Sequence, residues 1–282
     1  SERAGKVAIK PPRGKLEQHF VILGTNSHLD AVIKEIHAAT HGQNYILVVA
    51  PEAEELSVTD PKVYQRVFAL SGDPVRVEVI RQAQLSDALR VVVLASEEST
   101  AAHLVDDRTL METIAVVCGG NRKPMVVEVR DPQTLDEVSS LQDAGAEFIL
   151  SKRYGEGLIS QSVLNPGITG VYDRMMTFAE DTCEFYAVPI PQSLVGKTYH
   201  EAQLHFLEDD SDAIVLVGID RSPAERPHSQ LLLNPHPEHC GVEEKDLVLK
   251  EGDNLVLIAD ERPHFAEVSE EDLWSGTVLP RG

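Results

Sequence analysis

Six short apolar runs, each followed by a segment of helical periodicity, constrain this chain more than any other feature. The runs fall at residues 20–23, 45–49, 67–70, 91–94, 125–129 and 148–150. Helical patterns lie between them at 29–39, 75–82, 104–117 and 135–144, with a weak one at 61–64. Continuous apolar runs belong to strands buried on both faces, and strand–helix alternation brings successive strands parallel through crossovers. The expected fold is α/β: a Rossmann-like, doubly wound parallel sheet complete near residue 150.

The first unit, HFVILGTNSHLDAVIKEI at 19–36, opens like a nucleotide-binding turn and then departs from it. A dinucleotide fingerprint reads G-x-G-x-x-G, its later glycines letting backbone approach a pyrophosphate. Here only Gly24 is present, and Asn26 and Ser27 put side chains where phosphate would approach. Glu52, just past the second strand, is the residue placed to hold ribose hydroxyls. Gly24, Asn26, Ser27 and Glu52 are therefore the candidate cofactor-binding residues of a degenerate nucleotide turn, a poor one for NAD.

Residues 157–182, GLISQSVLNPGITGVYDRMMTFAEDT, carry helical periodicity on both sides of Asn165-Pro166-Gly167. Proline removes a backbone donor and clashes with the preceding turn, so a bent pair of crossover helices is expected over 151–182. Leu158, Ile159, Val163, Ile168, Val171, Met175 and Met176 give both helices apolar faces that must be buried against something, and a second subunit is the candidate. From 183 to 262 the pattern turns to short strands, at 184–190, 214–219, 231–233 and 255–259, which predicts a small β-rich C-terminal domain of α+β class. Residues 1–18 are basic and contain Pro11-Pro12, as a linker does, whereas 263–282 form an acidic tail with Trp274.

The balance of 46 acidic against 25 basic residues, a formal charge of -21, disfavours phosphate backbones as partners and argues against nucleic acid. No run approaches the roughly 18 to 20 apolar residues that span a bilayer, so no direct membrane insertion of this stretch is expected. Cys118, Cys183 and Cys240 form no C-x-x-C pair and suggest neither a zinc site nor a disulfide framework. His200 and His205, and His236 and His239 beside Cys240, lack the H-E-x-x-H pattern, and neither a G-x-S-x-G elbow nor a P-loop occurs, so an enzyme is not expected.

The order of parts resembles the RCK module, also called TrkA-N plus TrkA-C, which regulates potassium conductance. Three stretches carry the resemblance: HFVILGTNSHLDAVIKEI, AGAEFILSKRYGEGLISQSVLNPGITGVYDRMM and LLLNPHPEHCGVEEKDLVLKEGDNLVLIADE. Together they span most of 19–262. VVVLASEEST at 91–100, Asp106-Asp107-Arg108, VVEVRD at 126–131 and LNPG at 164–167 are most similar to the gating rings of Castor and Pollux channels and their bacterial relatives.

The resemblance implies a cytosolic, ligand-sensing gating-ring domain of a potassium or cation channel, on the cytoplasmic face of a membrane. It implies self-association into a ring of four chains or eight domains, with 1–18 as the linker from a pore domain upstream. Ser1 in place of Met fits a chain cut from something longer. Calcium is the expected ligand, because hard divalent ions need several oxygen ligands and the chain is rich in carboxylates. Glu97, Glu98, Asp106, Asp107 and Glu128, all near strand C-termini, are the candidate metal ligands, with a further acidic run at Glu208-Asp209-Asp210 and Asp212. The resemblance also implies a comparison with one calcium-gated bacterial relative, whose carboxylates sit at the end of the fourth strand and in an E-x-E pattern on the fifth. Here those positions read Leu94, Glu128 and Arg130, so any calcium site is built differently. The alternative is an NAD(H)-binding regulatory subunit of a potassium uptake system, or an NAD-dependent oxidoreductase.

Overall fold

The structure is a computed structural model that describes residues 5–6, 16–53, 57–58, 66–96, 102–121, 123–179, 182–208, 213–221, 230–236, 247–263 and 265. The weak helical pattern at 61–64 lies outside them. Two compact units, Ser1–Pro166 and Gly167–Gly282, divide the chain inside the stretch expected as a crossover.

In the first unit a short pair, β1 (Gly5–Lys6) and β4 (Ser57–Val58), accompanies the main sheet. The main strands are β2 (His19–Leu23), β3 (Ile46–Ala50), β5 (Val67–Ser71), β6 (Ala88–Val93), β7 (Met125–Val129) and β8 (Ala146–Leu150). All pair in parallel, in the spatial order β5-β3-β2-β6-β7-β8. This doubly wound order reverses between β2 and β6, and ligand crevices of such sheets open at that switch point, beyond the strand C-termini. The intervening helices are α1 (Leu29–Ala39), α2 (Val77–Gln82), α3 (Ala102–Cys118), α4 (Thr134–Glu137) and α5 (Ser139–Asp143). The pattern at 135–144 is therefore two helices, broken at Val138, and not one.

Every residue of β2 and β3 is buried. Alternate side chains go to opposite faces, which is why these strands lack a polar alternation. Val21, Leu23, Leu47, Val49, Val91 and Val93 join Ile80 of α2 and Ala115 and Val116 of α3 in one core. Leu29 and Ile33 are the buried positions of α1.

The chain leaves β8 directly into α6 (Ser151–Leu164). α6 ends at Asn165, and Gly167 adopts φ +94 before α7 (Ile168–Met176) begins. Pro166 cannot donate a backbone hydrogen bond, so the helix stops where the sequence predicts.

The second unit holds an antiparallel sheet of β9 (Glu184–Pro189), β10 (Val215–Arg221), β11 (Gln230–Leu233) and β12 (Asn254–Ala259), ordered β11-β10-β12-β9. One helix, α8 (Tyr199–Glu208), buries Tyr199, Ala202 and Phe206 in a core with Val188, Leu216, Leu255 and Leu257. Its start is a capping box: the Thr198 amide donates to Glu201 Oε2 at 2.7 Å, and the Glu201 amide donates to Thr198 Oγ1 at 3.2 Å.

Candidate functional site

The turn after β2 sits at the switch point. Gly24 leaves the strand at φ +80, and a Cβ there would lie 2.8 Å from the Leu94 carbonyl oxygen. The Gly24 amide donates to Val49 at 3.0 Å and the Leu94 amide to Leu23 at 2.9 Å, so β2 and the end of β6 are held too close for any other residue. Chain geometry alone accounts for the surviving glycine.

Asn26 closes the crevice. Its Nδ2 donates to the Ala95 carbonyl at 2.9 Å and to Glu128 Oε2 at 2.7 Å, and its Oδ1 accepts the His28 amide at 2.9 Å. The Glu128 carboxylate, at the end of β7, also accepts the Ala95 amide at 3.2 Å. His28 Nδ1 lies 3.1 Å from Glu128 Oε1, and because a carboxylate only accepts, that nitrogen carries the proton. One buried carboxylate thus ties together the turn after β2 and the ends of β6 and β7.

A second polar cluster lies on the α2–α3 side. Arg108 Nε donates to Glu112 Oε1 at 2.8 Å, and Arg108 Nη2 donates to Asp73 Oδ1, beyond β5, at 2.6 Å. Glu112 is buried, and its Oε2 falls 3.8 Å from where a Gly24 Cβ would stand. Burial raises the Asp73 carboxyl's affinity for its proton, but the Val75 amide and Arg108 outweigh it and hold the group below its usual value. Burial likewise opposes the charge on Arg108, and Glu112 and Asp73 overcome it, raising its pKa.

Of the candidate metal ligands, Asp106 faces inward. Its carboxylate accepts the amides of Arg130 at 2.9 Å and Asp131 at 2.8 Å and the Thr134 hydroxyl at 2.8 Å, which fastens the turn after β7 to α3. Asp107 is exposed, Glu128 is in the crevice, and Glu97 and Glu98 lie outside the described residues. Glu208 ends α8, with Asp209, Asp210 and Asp212 also outside. Among the described residues no group of three or more His, Cys, Asp or Glu is placed to hold a metal ion. Ser27 and Glu52 are exposed on the surface, so of the degenerate nucleotide set only Gly24 and Asn26 line the crevice.

His28, Asp73 and Glu112 contribute to these clusters without being singled out from the sequence, and Arg108 is named there only as part of the family resemblance. Arg108 and Glu112 do carry a signal, the i,i+4 spacing of opposite charges on one helix. Asp73 carries none, because only the tertiary fold brings the turn after β5 to α3.

The crossover helices contrast with this closed crevice. Neither α6 nor α7 has a buried residue. On α6, Ile159 and Val163 are 68% and 76% exposed, and Leu158 is half-buried. On α7, Val171 and Met176 are exposed while Ile168 and Met175 are half-buried.

Comparison with known proteins gives a family for part of the chain. Residues 15–127 match the family model of the calcium-activated potassium channel slowpoke-like RCK domain. This stretch is an RCK domain. Relatives extend the likeness beyond the RCK stretch: the chain is 25% identical over 283 residues to the probable ion channel POLLUX of Arabidopsis thaliana, covering 94% of this chain and 31% of that protein. It is 29% identical over 206 residues to the calcium-gated potassium channel TvoK of Thermoplasma volcanium, covering 70% of this chain and 55% of that protein. The human SLO3 gating ring is similar in fold, with a TM-score of 0.60 at 15% identity over 86% of this chain and 44% of that one. The chain thus spans about a third of the length of POLLUX and about half that of TvoK. Among the described residues no helix is long and apolar enough to cross a membrane.

Proposed function

We propose that this chain is the ligand-sensing gating module of a cation channel, assembled into a ring of four chains or eight domains, and not an enzyme. The observation that carries this reading is that α6 and α7 carry apolar residues and bury none of them, while the polar groups of the sheet crevice bond to one another. Solvent-exposed Ile159 and Val163 each have about 1.5–3 kcal/mol to gain from full burial, which a second copy supplies. In this reading residues 1–18 join the module to a pore domain upstream, at the cytoplasmic face of a membrane, and a change in ring shape is passed along them.

Calcium is the ligand to test first, since TvoK is named a calcium-gated channel and the chain carries 46 carboxylates. The described residues do not assemble a calcium site by themselves. Coordination at the crevice therefore calls on Glu97 and Glu98, which follow Ser96 in the chain, together with Glu128. Millimolar calcium, compared with equal magnesium, is expected to raise the melting temperature of the chain, and E97Q/E98Q to remove that rise. No calcium effect with association intact would remove calcium and leave the gating module; a rise with NAD instead would favour a nucleotide ligand.

A further inference from the structure

The opposite end of the same sheet, at the strand N-termini, carries a separate device. The segment Leu16–His19 leads into β2 and is fastened along its length to the connection between α2 and β6. The Leu16 amide donates to Gln84 Oε1 at 2.9 Å, and the Gln18 amide donates to the Asp87 carbonyl at 2.9 Å. From the other flank Asn44 Nδ2 donates to the Gln18 carbonyl at 2.7 Å. Leu16 is buried in the main core, and both Gln18 and Gln84 adopt left-handed backbone, φ +50 and +51, to make these contacts. A non-glycine residue pays for that conformation only where the surroundings hold it there.

At the centre of the fastening is His19, fully buried. Its Nε2 lies 3.0 Å from the Ala83 carbonyl, which only accepts, so Nε2 carries the proton of the neutral ring. Nδ1 is buried without a hydrogen-bond partner. A second proton would create a buried N–H and a buried charge with no acceptor.

We propose that His19 makes the fastening of Leu16–His19 to residues 83–87 sensitive to pH, holding it while the ring is neutral and releasing it when the ring is doubly protonated. Burial is the largest influence on the ring and lowers its pKa from 6.5; the Ala83 carbonyl and Asp87 act against that shift and do not cancel it. The other charged groups nearby are Glu17, exposed on the segment itself, Arg90 on β6, toward which Glu147 is drawn, and Arg66, stacked 4.8 Å over Tyr45 beside β3. A histidine whose folded pKa is lowered favours the fastened state above pH 6.5 and loses that preference as pH falls toward the folded value. The device lies in the RCK domain itself, at the opposite end of the sheet from the crevice, and does not depend on which ligand the module senses.

Amide hydrogen exchange at Leu16 and Gln18 tests it, measured between pH 8 and pH 5.5 and corrected for intrinsic rates. Protection is expected to be level above pH 6.5 and to fall by up to about tenfold per pH unit between pH 6.5 and the folded pKa of His19, below which it levels off. H19Q, whose amide can still donate to Ala83 and does not titrate, is expected to show level protection throughout. Protection in the native chain that ignores pH, or an equal fall in H19Q, overturns the proposal. If H19Q does not fold, titration of the His19 ring by NMR decides: a value below 6.5 that tracks the loss of protection supports it, and a value at or above 6.5 overturns it.

Discussion

The crevice above the six-stranded sheet and the pair of crossover helices are opposite kinds of surface. In the crevice and the clusters around it, Glu128, Asn26, Arg108 and Asp106 each have protein partners, so their polar groups are turned on the protein itself. Along α6 and α7 no residue is fully buried: Ile159, Val163, Val171 and Met176 are exposed, and Leu158, Ile168 and Met175 only half-buried. Unlike the sheet, the crossover helices are, in the proposed ring, covered by a second copy. A substitution in the first should therefore cost folding stability, and one in the second should cost association.

Asp106→Ala should show the largest folding effect. It leaves the Arg130 and Asp131 amides and the Thr134 hydroxyl without their shared acceptor, and a buried donor without a partner costs about 1–3 kcal/mol. A loss of about 3 kcal/mol in urea unfolding is expected, with no change in self-association measured on the folded fraction. Thr198→Ala, in the second unit, removes half of a capping box at an exposed helix end and should cost about 1 kcal/mol in the same assay. Ile159→Glu with Val163→Glu should change unfolding of the isolated chain least, within about 0.5 kcal/mol, because both side chains already face water. If that pair destabilises the monomer as strongly as Asp106→Ala, the contrast between the two regions is wrong.

Much of this fold is legible in the sequence, because buried parallel strands announce themselves as unbroken apolar runs. All six appear, and Asn165-Pro166-Gly167 marks the helix break through the chemistry of proline. The misses have specific causes. α8 lies within YHEAQLHFLE, which draws attention for its histidines although Thr198-x-x-Glu201 ahead of it is a capping box. The break at Val138 carries no proline or glycine to mark it. In the site, the lost glycines after Gly24 mark a departure from the phosphate-binding turn, but give no sign that Asn26 bonds Glu128, a partner 102 positions away. Spacing likewise gives the carboxylates' position along the chain but not their direction: Asp106 and Asp107 are neighbours, yet the first faces the protein and the second faces water.

Sedimentation velocity on the chain and on Ile159→Glu/Val163→Glu, across a concentration series, tests the central claim most directly. The native chain is expected to sediment as an assembly of two or more copies, and the variant as a folded monomer. A native chain that remains monomeric throughout, or a variant that assembles as the native chain does, would contradict it.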